Sequence, residues 1–184
     1  MMEIRIHGRG GQGAVTSSQV LAIAAFFDGK QSQAFPNFGV ERTGAPVESF
    51  VRIDTEKIFL RSHVYEPNVV IVLDPTLVLQ GIEVAKGLKP NGLLIVNTDK
   101  SQNDLGVKGK FRIKCINVTK IALEAIGKPF VNIASLGAFA ALTGQVSLGA
   151  LKKAVAEKMS AKPAVVELNQ KAVEKVFNEA QKEK

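Results

Sequence analysis

Glu3-Ile4-Arg5-Ile6-His7-Gly8-Arg9-Gly10-Gly11-Gln12-Gly13-Ala14 is the stretch on which the fold turns. Its first five residues alternate polar and apolar, the period-two pattern of a β-strand. The glycines that follow let the backbone turn tightly and leave N–H groups uncovered. Residues 14–27, with Thr16, Ser17 and Ser18 early and an apolar second half, then read as a helix. Strand, glycine loop and helix in this order put a helix N-terminus at the loop, where its field and free donors favour an anion. Arg9 adds a charged fork and Gln12 an amide donor.

Outward from the loop the pattern repeats. Residues 30–35 predict a short second strand, and residues 36–46 a loop with Gly39, Gly44 and two prolines. Residues 48–53 and 57–61 read as two antiparallel strands joined through Asp54-Thr55-Glu56. Val69-Val70-Ile71-Val72-Leu73 is the continuous apolar run of a strand buried on both faces. Asp74-Pro75 supplies an N-cap and an N1 proline, predicting a helix to about Leu88. Residues 93–96 and 111–118 are further strands. Residues 133–142 are apolar nearly all round, as in a buried helix that Gly144 can end. Leu148, Leu151, Val155 and Met159 mark the inner face of the next helix, and Leu168, Ala172, Val176 and Ala180 that of the last. The sum predicts an α/β fold in one domain over residues 1–184. Its sheet is doubly wound and mostly parallel with helices on both faces, a small antiparallel hairpin and a helical C-terminus.

Composition narrows the function. No apolar run approaches the roughly 20 residues of a membrane span, and the opening Met-Met-Glu-Ile-Arg-Ile lacks a signal-peptide pattern, so the cytoplasm is expected. Cys115 is the sole cysteine, which excludes an internal disulfide and an iron–sulfur cluster held by this chain alone. His7 and His63 are too few for a self-contained zinc site. The net charge of +7 points to anionic partners, but Trp is absent and Tyr occurs once, so the stacking platforms of a nucleic-acid binder are missing.

Residues 8–13 fit the first half of a dinucleotide fingerprint, yet the acidic residue expected about 20 positions on is missing. That region reads Gln33-Ala34-Phe35-Pro36, and Asp28 comes too early. A nicotinamide cofactor is therefore not expected, and the plainer alternative is that the glycines only permit tight strand-to-helix packing. At the carboxyl edge of such a sheet, residues 37–46 should lie beside the glycine loop. Their centre, Glu41-Arg42-Thr43, then extends an anion site, faces another chain, or forms a plain surface turn. His7 and Cys115 read as structural, and no nucleophile–base pair is spaced for catalysis, so no catalytic residue is assigned.

Three stretches taken together resemble a known family. They are Gly8-Arg9-Gly10-Gly11-Gln12-Gly13, then Phe38-Gly39-Val40-Glu41-Arg42-Thr43-Gly44-Ala45-Pro46, then Val51-Arg52-Ile53. With residues 69–74 and 136–144 they are similar, in order and over nearly the whole chain, to the gamma subunit of 2-oxoacid:ferredoxin oxidoreductases. The resemblance implies one subunit of an enzyme that oxidises a 2-oxoacid with coenzyme A to acyl-CoA, carbon dioxide and reduced ferredoxin. It implies alpha, beta and delta partner subunits, which carry thiamine diphosphate, Mg2+ and the iron–sulfur clusters, while this chain holds no cofactor alone. Gly44-Ala45 resembles the pyruvate type, since chains acting on 2-oxoglutarate more often carry Gly-Gly there, with the 2-oxoisovalerate and indolepyruvate enzymes, close relatives, as alternatives. Under this resemblance Gly8, Arg9, Gly10, Gly11, Gln12, Gly13, Glu41, Arg42 and Thr43 are the candidate coenzyme A contacts, or else a seam between subunits.

Overall fold

A computed structural model describes residues 1–37 and 43–183. Among the described residues six strands form one sheet in the order β2-β3-β1-β4-β5-β6. β1 (Met2–Arg9), β4 (Val69–Val72), β5 (Leu93–Asn97) and β6 (Arg112–Ile116) run parallel. β3 (Pro46–Asp54) lies antiparallel between β1 and β2 (Gln31–Pro36). Its register runs from Met2 opposite Ile53 to Arg9 opposite Pro46, which carries the start of β3 to the glycine loop.

One face of the sheet carries the long helices. They are α1 (Ala14–Phe27), α3 (Val118–Ile126), α4 (Val131–Thr143), α5 (Leu148–Lys158) and α6 (Pro163–Lys182), with α2 (Thr76–Leu79) a single turn on the opposite face. α4 buries residues 133–142 without a break and ends at Gly144 with φ +64, the left-handed stop expected of a glycine there. Among the described residues no single helix is long and apolar enough to cross a membrane. α4 is apolar all round because it is the core helix of this layer.

The opposite face is thinner. Val70, Val72, Leu94, Val96 and Ile113 are covered by Leu77, Val78, Val84, Leu88 and Leu105, which come from α2, from turns and from a 3-10 turn at Gln102–Leu105. The helix expected up to Leu88 stops at Leu79. Gly81 adopts φ +77 and turns the chain away, and the Arg5 guanidinium then donates to the carbonyls of Val84 and Lys86.

Residues 57–61 form no strand; residues 48–53 pair instead with β2 and β1. Side chains take the place of a ladder there, with Arg52 donating to the carbonyls of Leu60, Ser62 and His63, and Gln33 to that of Ile58. Arg52 is itself buried and paired with Glu3 at 3.0 Å, so this strap is pinned across the sheet by one charged anchor. The last strand ends at Ile116, before the expected Val118, because Asn117 accepts from the Lys120 N–H and starts α3. In α6 the buried face runs through Asn169, Ala172, Val173, Val176 and Ala180, while Leu168 is exposed.

Candidate functional site

Parallel strands point their carboxyl ends the same way, so the loops that leave β1, β4, β5 and β6 gather on one edge. The glycine loop sits there. Gly11 and Gly13 adopt φ +91 and +80, a region costly for other residues. They need glycine for different reasons. A Cβ on Gly11 would meet nothing within 4 Å, so its demand is conformational. A Cβ on Gly13 would lie 2.5 Å from Asn132 Nδ2, because the starts of α1 and α4 touch at this point. Ser17 strengthens that junction by donating to the Asn132 carbonyl at 3.0 Å.

Among the described residues no side chain caps α1 or α4. Gly10 N–H is taken by Ala45 O and Gln12 N–H by Arg9 O. Among the described residues the N–H groups of Gly11, Gly13, Ala14, Val15 and Thr16 meet no protein acceptor, the usual state of a helix start. A cleft of about 710 Å3 lies on one side of the loop, bordered by Gly11, Gly13, Thr16, Asp74, Phe130 and Asn132. The N-termini of α1 and α4 both open on it. A second, of about 440 Å3, lies on the other side between Arg9, Gly10, Gly13 and Thr43.

The expected neighbourhood of the second loop holds for its described part. Gly44 N–H donates to Gly10 O at 3.1 Å, and Arg9 Nη1 donates to Gly44 O at 3.0 Å. The antiparallel β3 brings this segment in, and Thr43 lines the second cleft. Glu41 and Arg42 lie outside the described residues. Arg9 and Gln12 turn toward the protein. Arg9 donates to Asp74, Thr76, Gln80 and Gly44, and Gln12 Nε2 to Asp74 at 2.8 Å. The loop thus offers backbone donors backed by one guanidinium.

Asp74, Asn97, Thr119 and Asn132 border the larger cleft as well, and sequence reasoning passed over them. Asn97 is buried and ties β4 to α3, donating to Leu73 O and Thr119 Oγ1 and accepting from the Thr119 N–H. A signal for two of them was present: the apolar strands end in Leu73-Asp74 and Val96-Asn97, where a polar residue meets the functional edge.

His7 is buried near the loop, its Nε2 accepting from Arg5 Nε at 3.0 Å. Burial, and then the Arg5 charge, push its pKa down to about 3, so it is neutral at physiological pH. Cys115 is partly buried in β6, and burial pushes its thiol pKa up, away from reactivity. Among the described residues no three His, Cys, Asp or Glu side chains are grouped to hold a metal ion. With a single cysteine, the donor set of this chain does not fit an iron–sulfur cluster.

A parallel sheet edge with a helix start behind a glycine loop places this chain among the α/β folds whose geometry favours an anion at that edge. Comparison with known proteins is more specific. Residues 3–179 match the pyruvate ferredoxin/flavodoxin oxidoreductase family. The chain is 52% identical over 179 residues to the pyruvate synthase subunit PorC of Methanocaldococcus jannaschii, covering 97% of each. It is 50% identical to the pyruvate/ketoisovalerate oxidoreductases common subunit gamma of Thermococcus kodakarensis, covering 97% of this chain and 96% of that one. The crystal structure of pyruvate oxidoreductase subunit PORC from Thermotoga maritima superposes with a TM-score of 0.83 at 39% identity, covering 96% of this chain and 95% of that one. The chain belongs to the pyruvate ferredoxin/flavodoxin oxidoreductase family, as a gamma subunit.

Proposed function

We propose that this gamma subunit works in a complex that oxidises pyruvate with coenzyme A, giving acetyl-CoA and carbon dioxide and passing the electrons to ferredoxin. Relatives named for pyruvate alone and for pyruvate together with ketoisovalerate support pyruvate as the main substrate, with 2-oxoisovalerate served by the same chain. Thiamine diphosphate, Mg2+ and the iron–sulfur clusters belong to the alpha, beta and delta partners in this reading. It is in keeping with a chain that has one cysteine and no grouped metal donors among its described residues.

The role of this chain is to hold coenzyme A by an anionic group. The observation that carries it is the set of N–H groups, those of Gly11 and of Gly13 to Thr16, that meet no acceptor among the described residues at the start of α1, beside two clefts. Arg9 adds its charge beneath the loop, with Gly8, Gly10 and Gly13 shaping the approach and Thr43 on the rim. Glu41 and Arg42, outside the described residues, belong to the same proposed contact set by sequence alone. Expected in assembled complexes carrying Arg9→Ala is a coenzyme A KM raised about tenfold, as for loss of one charge-assisted contact, with kcat at saturating coenzyme A largely kept. An unchanged KM in an intact complex overturns the ligand role. Loss of assembly with normal KM in the residual complex assigns the loop to a subunit seam instead.

A further inference from the structure

Asp74 follows β4 at the carboxyl edge and lies against the glycine loop. One of its oxygens does an ordinary job. Oδ1 accepts from the Thr76 N–H at 2.9 Å and the Thr76 hydroxyl at 2.6 Å, the turn that begins α2. Oδ2 does something different, accepting from Arg9 Nε at 3.0 Å and from Gln12 Nε2 at 2.8 Å. Gln12 closes the ring, its Oε1 accepting from the Arg9 N–H at 2.8 Å. One carboxylate therefore grips the side chains on both shoulders of Gly10-Gly11. Starting a helix needs a single acceptor, which Ser or Asn supplies equally well. Accepting from two further donors on the second oxygen needs a carboxylate, because an amide presents N–H there.

We infer that Asp74 is the positioning residue of the glycine loop, holding Arg9 and Gln12 so that the uncovered N–H groups of Gly11 and Gly13 stay aimed at an incoming anion. The inference rests on the reading that the loop receives an anionic group of coenzyme A. Glycines give the loop its shape but leave it many alternatives, so its order has to come from neighbours. One flank is tied to Gly44 and Ala45 through the backbone of Gly10. Asp74 ties the other, and its side chain is only 13% exposed. Burial works against the charge, but hydrogen bonds from Thr76 and Gln12, with the Arg9 charge, outweigh it and keep the carboxyl acidic.

Charge alone makes the opposite prediction from positioning. A carboxylate beside an anion site repels the ligand, so removing its charge tightens binding if Coulomb repulsion is its main effect. If Asp74 acts by tethering, removal weakens binding. The test uses assembled complexes carrying Asp74→Asn, Gln12→Leu or both, with coenzyme A kinetics and hydrogen exchange of the bonded loop amides of Arg9, Gly10 and Gln12 without coenzyme A. We expect Asp74→Asn to raise the coenzyme A KM about tenfold, the loss of a charge-assisted contact, with kcat at saturating coenzyme A within about twofold. Gln12→Leu shifts KM in the same direction, and the double variant is no worse than Asp74→Asn, since both cut one tether. Loop amides exchange faster in each. A lowered or unchanged KM in Asp74→Asn, while Arg9→Ala still raises it, overturns the positioning role and leaves the coenzyme A reading standing. If neither variant moves KM but loop exchange quickens, Asp74 orders the loop and the coenzyme A reading fails. Unchanged exchange in both Asp74→Asn and Gln12→Leu overturns the tether outright.

Discussion

Gly137→Ala destabilises the chain by about 2–3 kcal/mol, although alanine is the better helix former by about 1 kcal/mol. Gly137 lies mid-way along the buried helix α4 where it crosses α6. A Cβ there would stand 2.3 Å from the Val173 carbonyl oxygen and 3.0 Å from the Phe177 nitrogen. Both are backbone atoms of α6, so no rotamer change can make room and the two helices must move apart. Separation loosens Phe139, Ala172 and Val176, all fully buried in one core. Gly149→Ala in α5 is the control. That position is exposed and its nearest neighbour to an added Cβ is Ser147 Oγ at 4.0 Å, so the same change there is neutral or stabilises by up to about 1 kcal/mol. Urea titrations of the three proteins measure the contrast, with a midpoint drop of roughly 2–4 °C per kcal/mol in parallel thermal melts. Equal effects at the two glycines would show that α4 and α6 do not approach as closely as the backbone requires.

How much of this was legible in advance depended on whether the information is local. The strand–glycine–helix opening, the buried run at 69–73 and the all-apolar α4 each carry their own pattern, and each forms as that pattern demands. Residues 57–61 look like a strand in isolation. They lose that state to the side chains of Arg52 and Gln33, which reach them from the sheet. The helix after Asp74-Pro75 had a good beginning, but Gly81 supplied an ending that the apolar residues beyond it concealed. At the site, the glycines and their helix were readable because backbone geometry is written in glycine spacing. The orientation of Arg9 was not. Its partners Asp74, Thr76 and Gln80 lie 65 to 71 residues away in sequence, and only the pairing of β1 with β4 brings them together.

The same pairing sets the second large effect, the response to acid. His7 sits on β1 with Nε2 accepting from Arg5 Nε, while its Nδ1 lies 3.6 Å from a Glu48 oxygen, and its own carbonyl accepts from the Leu73 N–H. Protonating Nε2 would abolish the acceptor that Arg5 uses and set two cations side by side in a buried place. Its folded pKa of about 3 therefore lies below the ordinary 6.5 of the unfolded chain. Below pH 6.5 the unfolded state binds a proton that the folded state refuses. The stability His7 contributes is thus complete above that pH and is lost progressively as the pH falls toward 3, at up to about 1.4 kcal/mol per pH unit. Between pH 7 and pH 5 the loss from this one residue is about 2 kcal/mol. His7→Gln, with an amide oxygen to accept from Arg5 and no titration, should lower stability modestly at pH 7 but keep nearly all of it at pH 5. Denaturant titrations of both proteins at half-unit steps from pH 7.5 to 4.5 give the difference curve. Its slope above pH 5 isolates the histidine, because most carboxylates titrate below that range. Parallel curves for the two proteins would mean that His7 accepts its proton without resistance, and that Arg5 is not held against it. A difference that grows as the pH falls ties acid sensitivity to the strand that ends in the glycine loop, two residues before Arg9.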